Sequence, residues 1–226
     1  MKKIMVVCGA MACLAVAGCA TTGGASSGAH HSGFLTSYER LQPFEGREGV
    51  LRYIDRSANW RPYDKLFIEP VQIVINQDGP YKGVQPDAMK RITDSFHKAF
   101  VDAVTPAYRI VQAPGPDVLR VRLAIAGVQP VSPPLGVTDF IPIKAVFNVG
   151  RAMAGEAPRV AELTAEIEVL DSGNRQVAAA VATRKSDQTL AQGDRITWSD
   201  LSSIVNSWAR QFRLGLDDLR GVPAAR

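Results

Sequence analysis

Glu166 and Glu168 stand two residues apart, and His97 is the one histidine beyond the first 31 residues. Carboxylates and histidine are the usual carriers of general acid–base chemistry. A carboxylate pair works as acid and base when its surroundings push the two pKa values apart. Two residues apart on a strand, however, both point to one face, with Glu162 beside them and Arg120 and Arg122 on another alternating segment. Cross-strand ion pairs of that kind contribute roughly 0.2–1 kcal/mol each. The expected meaning is therefore a solvated, charge-balanced sheet face. His97, between Phe96 and Lys98, reads as a flank residue beside an apolar helix stripe. A serine triad would have to use it, and no G-x-S-x-G elbow supplies the nucleophile. Zinc would have to be held almost wholly by carboxylates. Phosphate-binding glycine loops are absent from the sequence. No catalytic residue, metal or cofactor is assigned, and a hydrolase using Asp or Glu is kept as the least favoured alternative.

The strongest chemical signal is a cysteine. Lys2 and Lys3 precede an apolar run over residues 4–17 that ends in Val16-Ala17-Gly18-Cys19. That run is about 14 residues against the ~20 needed to span a bilayer as a helix, and it suits a secretory leader. The quartet resembles the lipobox of bacterial lipoproteins. The resemblance implies cleavage after residue 18 and thioether lipidation of Cys19. Ala20 in place of an inner-membrane retention Asp implies the inner leaflet of the outer membrane, with the domain facing the periplasm. Lipoprotein processing would attach three acyl chains, and two or more chains anchor stably. The bilayer, reached through Cys19, is thus the first expected partner. Residues 20–32 carry no large apolar side chain and read as a coil spanning roughly 20 Å, ~45 Å at full extension. His30 and His31 fall in this tether, where a metal-binding pair is the weaker reading.

Composition agrees. The 226 residues are 46% hydrophobic and 21% charged, which excludes disordered, collagen-like and multi-span membrane chains. Cys8 and Cys13 would leave with the leader, so Cys19 would be the sole mature cysteine and no intradomain disulfide is expected. Loss of Lys2 and Lys3 would also lower the formal charge of +4 by two. A nucleic-acid partner is not expected.

A single domain is expected over residues 33–226, after a leader (1–18) and a lipidated tether (19–32). Phe34, Leu35, Tyr38 and Leu41 form a short docking turn at near-helical spacing. Residues 50–54 and 65–75 read as strands, the second changing parity at Glu69-Pro70, where a bulge or edge position is expected. A helix starts at Pro86 with Met89, Ile92, Phe96, Phe100 and Ala103 as its apolar stripe, and Pro106 ends it. Strands follow at 108–112, 117–129, 160–170 and 176–184, with a hairpin signal at Asp171-Ser172-Gly173-Asn174. Leu119, Val121, Leu123 and Ile125 share one parity; Leu163, Ala165, Ile167 and Val169 do the same. Thr197 followed by Asp200 marks the start of a last helix with Leu201, Ile204, Val205, Trp208 and Phe212 facing inward. The alanine-rich strand would let a helix approach closely. The fold class is α+β, a mainly antiparallel sheet with two helices on one face.

Residues 131–155 interrupt two strands with only Asp139, Lys144 and Arg151 as charges, and loops of that length are uncommon without a role. They form either a third helix packed on the sheet or an apolar partner surface carried by Leu135, Phe140, Ile143, Val146, Phe147 and Met153.

Ser32-Gly33-Phe34-Leu35, Leu51-Arg52-Tyr53-Ile54, Ala58-Asn59-Trp60 and the run from Tyr63 to Val71 resemble a group of bacterial lipoproteins, domain of unknown function 3313. The resemblance spans most of the mature chain and implies an address and a fold, with no catalytic residues. The expected function is a non-enzymatic envelope binding or assembly module that meets another envelope protein. A carrier or sensor of an apolar small molecule, held between the sheet and residues 131–155, is the alternative.

Overall fold

The computed structural model describes residues 31–74, 86–132, 159–190 and 195–222. In chain order the elements are β1 (Gln42–Pro43), β2 (Val50–Ile54), β3 (Lys65–Ile68), β4 (Gln72–Ile73), α1 (Pro86–Val104), β5 (Arg109–Ile110), β6 (Val118–Val131), β7 (Arg159–Leu170), β8 (Gln176–Leu190) and α2 (Trp198–Arg220). The strands form one sheet in the order β1-β2-β8-β7-β6-β3-β5, with β4 also on β6. From β1 to β6 the pairings are antiparallel; β3 with β5 and β6, and β4 with β6, are parallel. The fold is α+β with a mostly antiparallel sheet, as expected. Parallel neighbours need a crossover between them, and α1 is that crossover.

Local chemistry places the breaks. The strand expected over 65–75 divides into β3 and β4 around Glu69-Pro70, because Pro70 has no N–H for the ladder. In β6, Leu119, Val121, Leu123 and Ile125 are buried on one face, and a register shift between Ile125 and Gly127 brings Val128 onto that same face. The extra residue of such a bulge changes side-chain parity. Asp200 Oδ2 accepts a hydrogen bond from the Thr197 N–H at 2.7 Å, as a capping box requires, and Gly221 at φ 69° closes α2.

Both helices pack on one face of the sheet. Met89, Ile92, Phe96, Phe100 and Val104 of α1 and Leu201, Ile204, Val205, Ala209 and Leu216 of α2 share a core with the inward residues of β3, β6 and β7. A second, smaller core lies on the other face, where Phe34 and Leu35 cover Ala124, Ala179 and Val181. Here the structure corrects the sequence reading. The charged outer face is not solvated: residues 31–41 lie across it as a strap, and Glu166 and Glu168 are 0% exposed. Small residues at 124 and 179 leave room for two apolar side chains, so the expected docking turn settles on this face.

Candidate functional site

An open groove of about 790 Å³ lies between α2 and the sheet at β2, β8 and β7. Small-molecule sites usually measure ~300–1,000 Å³. Ala178, Ala180 and Ala182 of β8 line its floor, in register with Ile54, Arg52 and Val50 of β2. Trp208 and Phe212 of α2 form the wall above. The three alanines are only half-buried, which corrects the expectation of a helix pressed against them. Phe212 packs instead on Phe100 at 5.6 Å, and Phe100 stacks on Phe96 at 5.3 Å. The bulk of α2 therefore leans on α1 and leaves the volume over the alanines unfilled.

The β1–β2 turn forms the outer wall. Gly49 is held at φ 74°, and a Cβ there would fall 2.8 Å from the Thr183 carbonyl oxygen, so the turn rests directly on β8. Phe44 in this turn carries the Arg52 guanidinium 3.6 Å from its ring centroid and that of Arg47 at 5.6 Å. Arg47 also donates to Gln211 Oε1 of α2, tying the turn to the helix. Arg52 has no carboxylate partner among the described residues. Burial, then the neighbouring charges of Arg56 and Arg47, hold its pKa below the usual guanidinium value. The groove thus combines an apolar floor and wall with cations at one side.

Glu166 and Glu168, weighed in the sequence as an acid–base pair and expected on a solvated face, serve the strap. Tyr38 Oη donates to Glu166 Oε2 at 2.6 Å and the Ser32 N–H to Glu166 Oε1 at 3.3 Å. Burial first, and then this bond to a carboxylate, raise the Tyr38 pKa. Glu168 accepts from the Thr36 N–H at 2.8 Å, from Thr36 Oγ1 at 3.2 Å and from Gln176 Nε2 at 2.9 Å, and pairs with Arg122. Cross-strand pairing is expected of Arg120 and Arg122, and Arg122 meets it, opposite Glu168, with Glu69 also at 3.6 Å. Arg120 reaches Glu69 instead of a β7 glutamate, since its cross-strand partner is Leu170. Glu162 accepts from Gln129 Nε2 at 2.7 Å. His31 stacks on Tyr38 at 4.3 Å. His97 Nδ1 lies 3.1 Å from the Glu69 carbonyl oxygen, beside the α1 stripe as expected.

Among the described residues no group of three or more His, Cys, Asp or Glu is placed to hold a metal, and no helix is long and apolar enough to cross a membrane. Cys19, His30 and the residues Leu135, Phe140, Ile143, Val146, Phe147 and Met153 lie outside the described residues. The sequence reading missed Arg52 and the groove. The available signal was the spacing of Ala178, Ala180 and Ala182, small side chains at alternate positions on the parity that faces a helix bearing Trp208 and Phe212.

A family model for proteins of unknown function, DUF3313, matches residues 30–212. Among solved structures, the chain is similar to a variant of the PelC dodecamer from Paraburkholderia phytofirmans, with 15% identity over 76% of this chain and 95% of that one, TM-score 0.38. A DUF330 protein from Xanthomonas campestris matches at 14% identity over 66% and 81% of the two chains, TM-score 0.38. A DUF4136 protein from Bacteroides thetaiotaomicron matches at 8% identity over 81% and 98%, TM-score 0.38. No curated protein matches the chain.

Proposed function

Because the chain belongs to the DUF3313 family, whose description names no activity, we propose a function from its own geometry: a lipid-anchored envelope protein whose folded domain holds an apolar molecule. One observation carries this reading, the unfilled groove between the Ala178-Ala180-Ala182 floor and the Trp208-Phe212 wall. Exposed apolar concavity is costly to leave in water, and a ligand that fills it recovers roughly 25 cal/mol for each Å² of apolar surface covered. The described lining of the groove comes chiefly from α2 and from β2, β7 and β8, and the carrier reading is argued from these residues. The leader and Cys19 supply the second half of the proposal. A domain tethered through Cys19 to the inner leaflet of the outer membrane would meet apolar molecules at their highest local concentration. Glu166 and Glu168 favour binding over hydrolysis, since both carboxylates are engaged beneath the strap.

Two measurements test this. Cells expressing the full chain and fed radiolabelled palmitate should label the wild type and not Cys19→Ala; equal labelling removes the anchor. Solvent extracts of the purified full chain should contain an apolar compound by mass spectrometry, and Ala180→Trp, which fills the groove, should release it. Equal recovery from wild type and Ala180→Trp would overturn the groove.

A further inference from the structure

The groove has a polar side, and its sign is specific. Arg52 projects from β2 onto the groove face, between Val50 and Ile54 and opposite Ala180. Arg47 and Arg184 also line the groove, Arg184 exposed at the β8 side. Among the described residues, the acidic ones that line the groove are Glu48, which is exposed and makes no ion pair there, and Glu166, whose carboxylate is held by Tyr38 on the opposite face of the sheet. Arg47 uses a neutral acceptor, Gln211. Arg52 makes a ring contact with Phe44, which orients the guanidinium and leaves its charge uncompensated. A guanidinium presents five N–H donors in a planar fork that matches a carboxylate. A half-buried guanidinium such as Arg52, with the like charges of Arg56 and Arg47 nearby, gains most from an anion, and the adjoining floor takes a hydrocarbon chain.

We propose that the groove binds an anionic amphiphile of the fatty-acid class, its acyl chain along Ala178, Ala180 and Ala182 beneath Trp208 and its carboxylate on Arg52. The proposal rests on the groove being a ligand site and adds the head group. Arg47 and Arg184 contribute field around the carboxylate, while Arg52 makes the directional contact. The charge selects acids over neutral chains of equal length, because an alcohol leaves the Arg52 charge uncompensated. Cationic amphiphiles are repelled.

The test uses the full-length chain in phosphatidylcholine nanodiscs with two photoactivatable probes, a diazirine-bearing palmitate and the alcohol of the same chain. Crosslinked peptides are assigned by mass spectrometry. The acid should label peptides of residues 176–190 and 207–219 about tenfold more than the alcohol does, as expected for a charge-assisted hydrogen bond. Arg52→Gln should bring acid labelling down to the alcohol level without changing the alcohol, and Arg52→Lys, which keeps the charge, should retain a preference for acid. Equal labelling by both probes in the wild type overturns the head-group assignment and leaves the groove standing. Labelling by neither overturns both the head-group assignment and the groove as a site for an apolar ligand. Loss of acid and alcohol labelling together in both Arg52 variants would make Arg52 structural and also overturn the proposal.

Discussion

On its outer face the sheet is closed by eleven residues of strap (31–41) that bind through polar contacts, whereas on its inner face two long helices bind through apolar packing and leave a groove. The strap is short and buries little hydrocarbon, chiefly Phe34 and Leu35. Its hold depends on two fully buried carboxylates, each of which receives strap donors. Buried carboxylates are tolerated only when paired and hydrogen-bonded, and Arg122 supplies the counter-charge while its guanidinium lies 4.6 Å from the Phe34 ring. The helix face has hydrocarbon in excess and can leave part of it uncovered. The strap face is thus sealed by polar ties over a small core, whereas the helix face holds most of the buried hydrocarbon and still leaves an apolar volume unfilled.

The contrast breaks most sharply at Glu168. Glu168→Ala leaves Arg122 with only the Glu69 carboxylate at 3.6 Å, Gln176 Nε2 with only the Ser37 carbonyl oxygen, and Thr36 without its acceptor, a loss of about 3 kcal/mol. Urea unfolding should show it, and limited proteolysis should cut near residues 32–41 well before the helices open. Cleavage that begins in α2 instead would mean that the strap is not what Glu168 holds.

The helix face has one buried polar tie of its own, and pH separates it from the strap. Tyr108 Oη donates to Asp217 Oδ1 at 2.9 Å, while Arg213 Nε holds Oδ2 at 2.7 Å. Burial, with the adjacent carboxylate, pushes the Tyr108 pKa up from 10 to about 12. The folded state then keeps a proton that the unfolded chain releases. This stabilisation is whole below pH 10 and disappears as pH rises through 12, and at 1.36 kcal/mol per unit it reaches roughly 2–3 kcal/mol. Tyr38 under the strap is raised as well. Melting curves between pH 9 and 12 should lose more of their alkaline slope in Tyr108→Phe than in Tyr38→Phe. The reverse order would place the alkaline weak point on the strap.

Elements governed by local periodicity were legible in the sequence. The α1 stripe, the α2 capping box, the alternation of β6 and β7, the break at Pro70 and the opposite charges on facing strands all follow from spacing, whereas which arginine meets which glutamate depends on register. The strap's face was not legible. Phe34 and Leu35 signal a docking turn, yet nothing in their spacing says which side of a sheet formed more than 80 residues later will receive them. The parallel pairing of β3 and β4 with β6 was hidden for the same reason, since register over a helical crossover is a tertiary property. The groove was missed because an alanine strand predicts room without saying whether a helix fills it. Large aromatics at Phe96, Phe100 and Phe212 settle that by drawing α2 toward α1.

Neighbouring alanines of β8 give the finest comparison, because Ala179 and Ala180 differ by one residue and face opposite sides of the sheet. Ala179 is 3% exposed beneath Phe34 and Leu35. A leucine there must displace the strap, and overpacking of this kind costs about 1–3 kcal/mol. Ala180 opens into the groove. A leucine there enters unfilled space and adds apolar burial against Trp208, so Ala180→Leu should melt at or slightly above the wild-type temperature, within about 1 kcal/mol. Each substitution adds the same three carbons to the same strand, so β-propensity and unfolded-state effects nearly cancel between them. What remains is the difference in free volume over the two faces. Equal destabilisation of both variants by thermal melts would mean that the helix side is as tightly closed as the strap side, and the groove would lose its claim to hold a ligand.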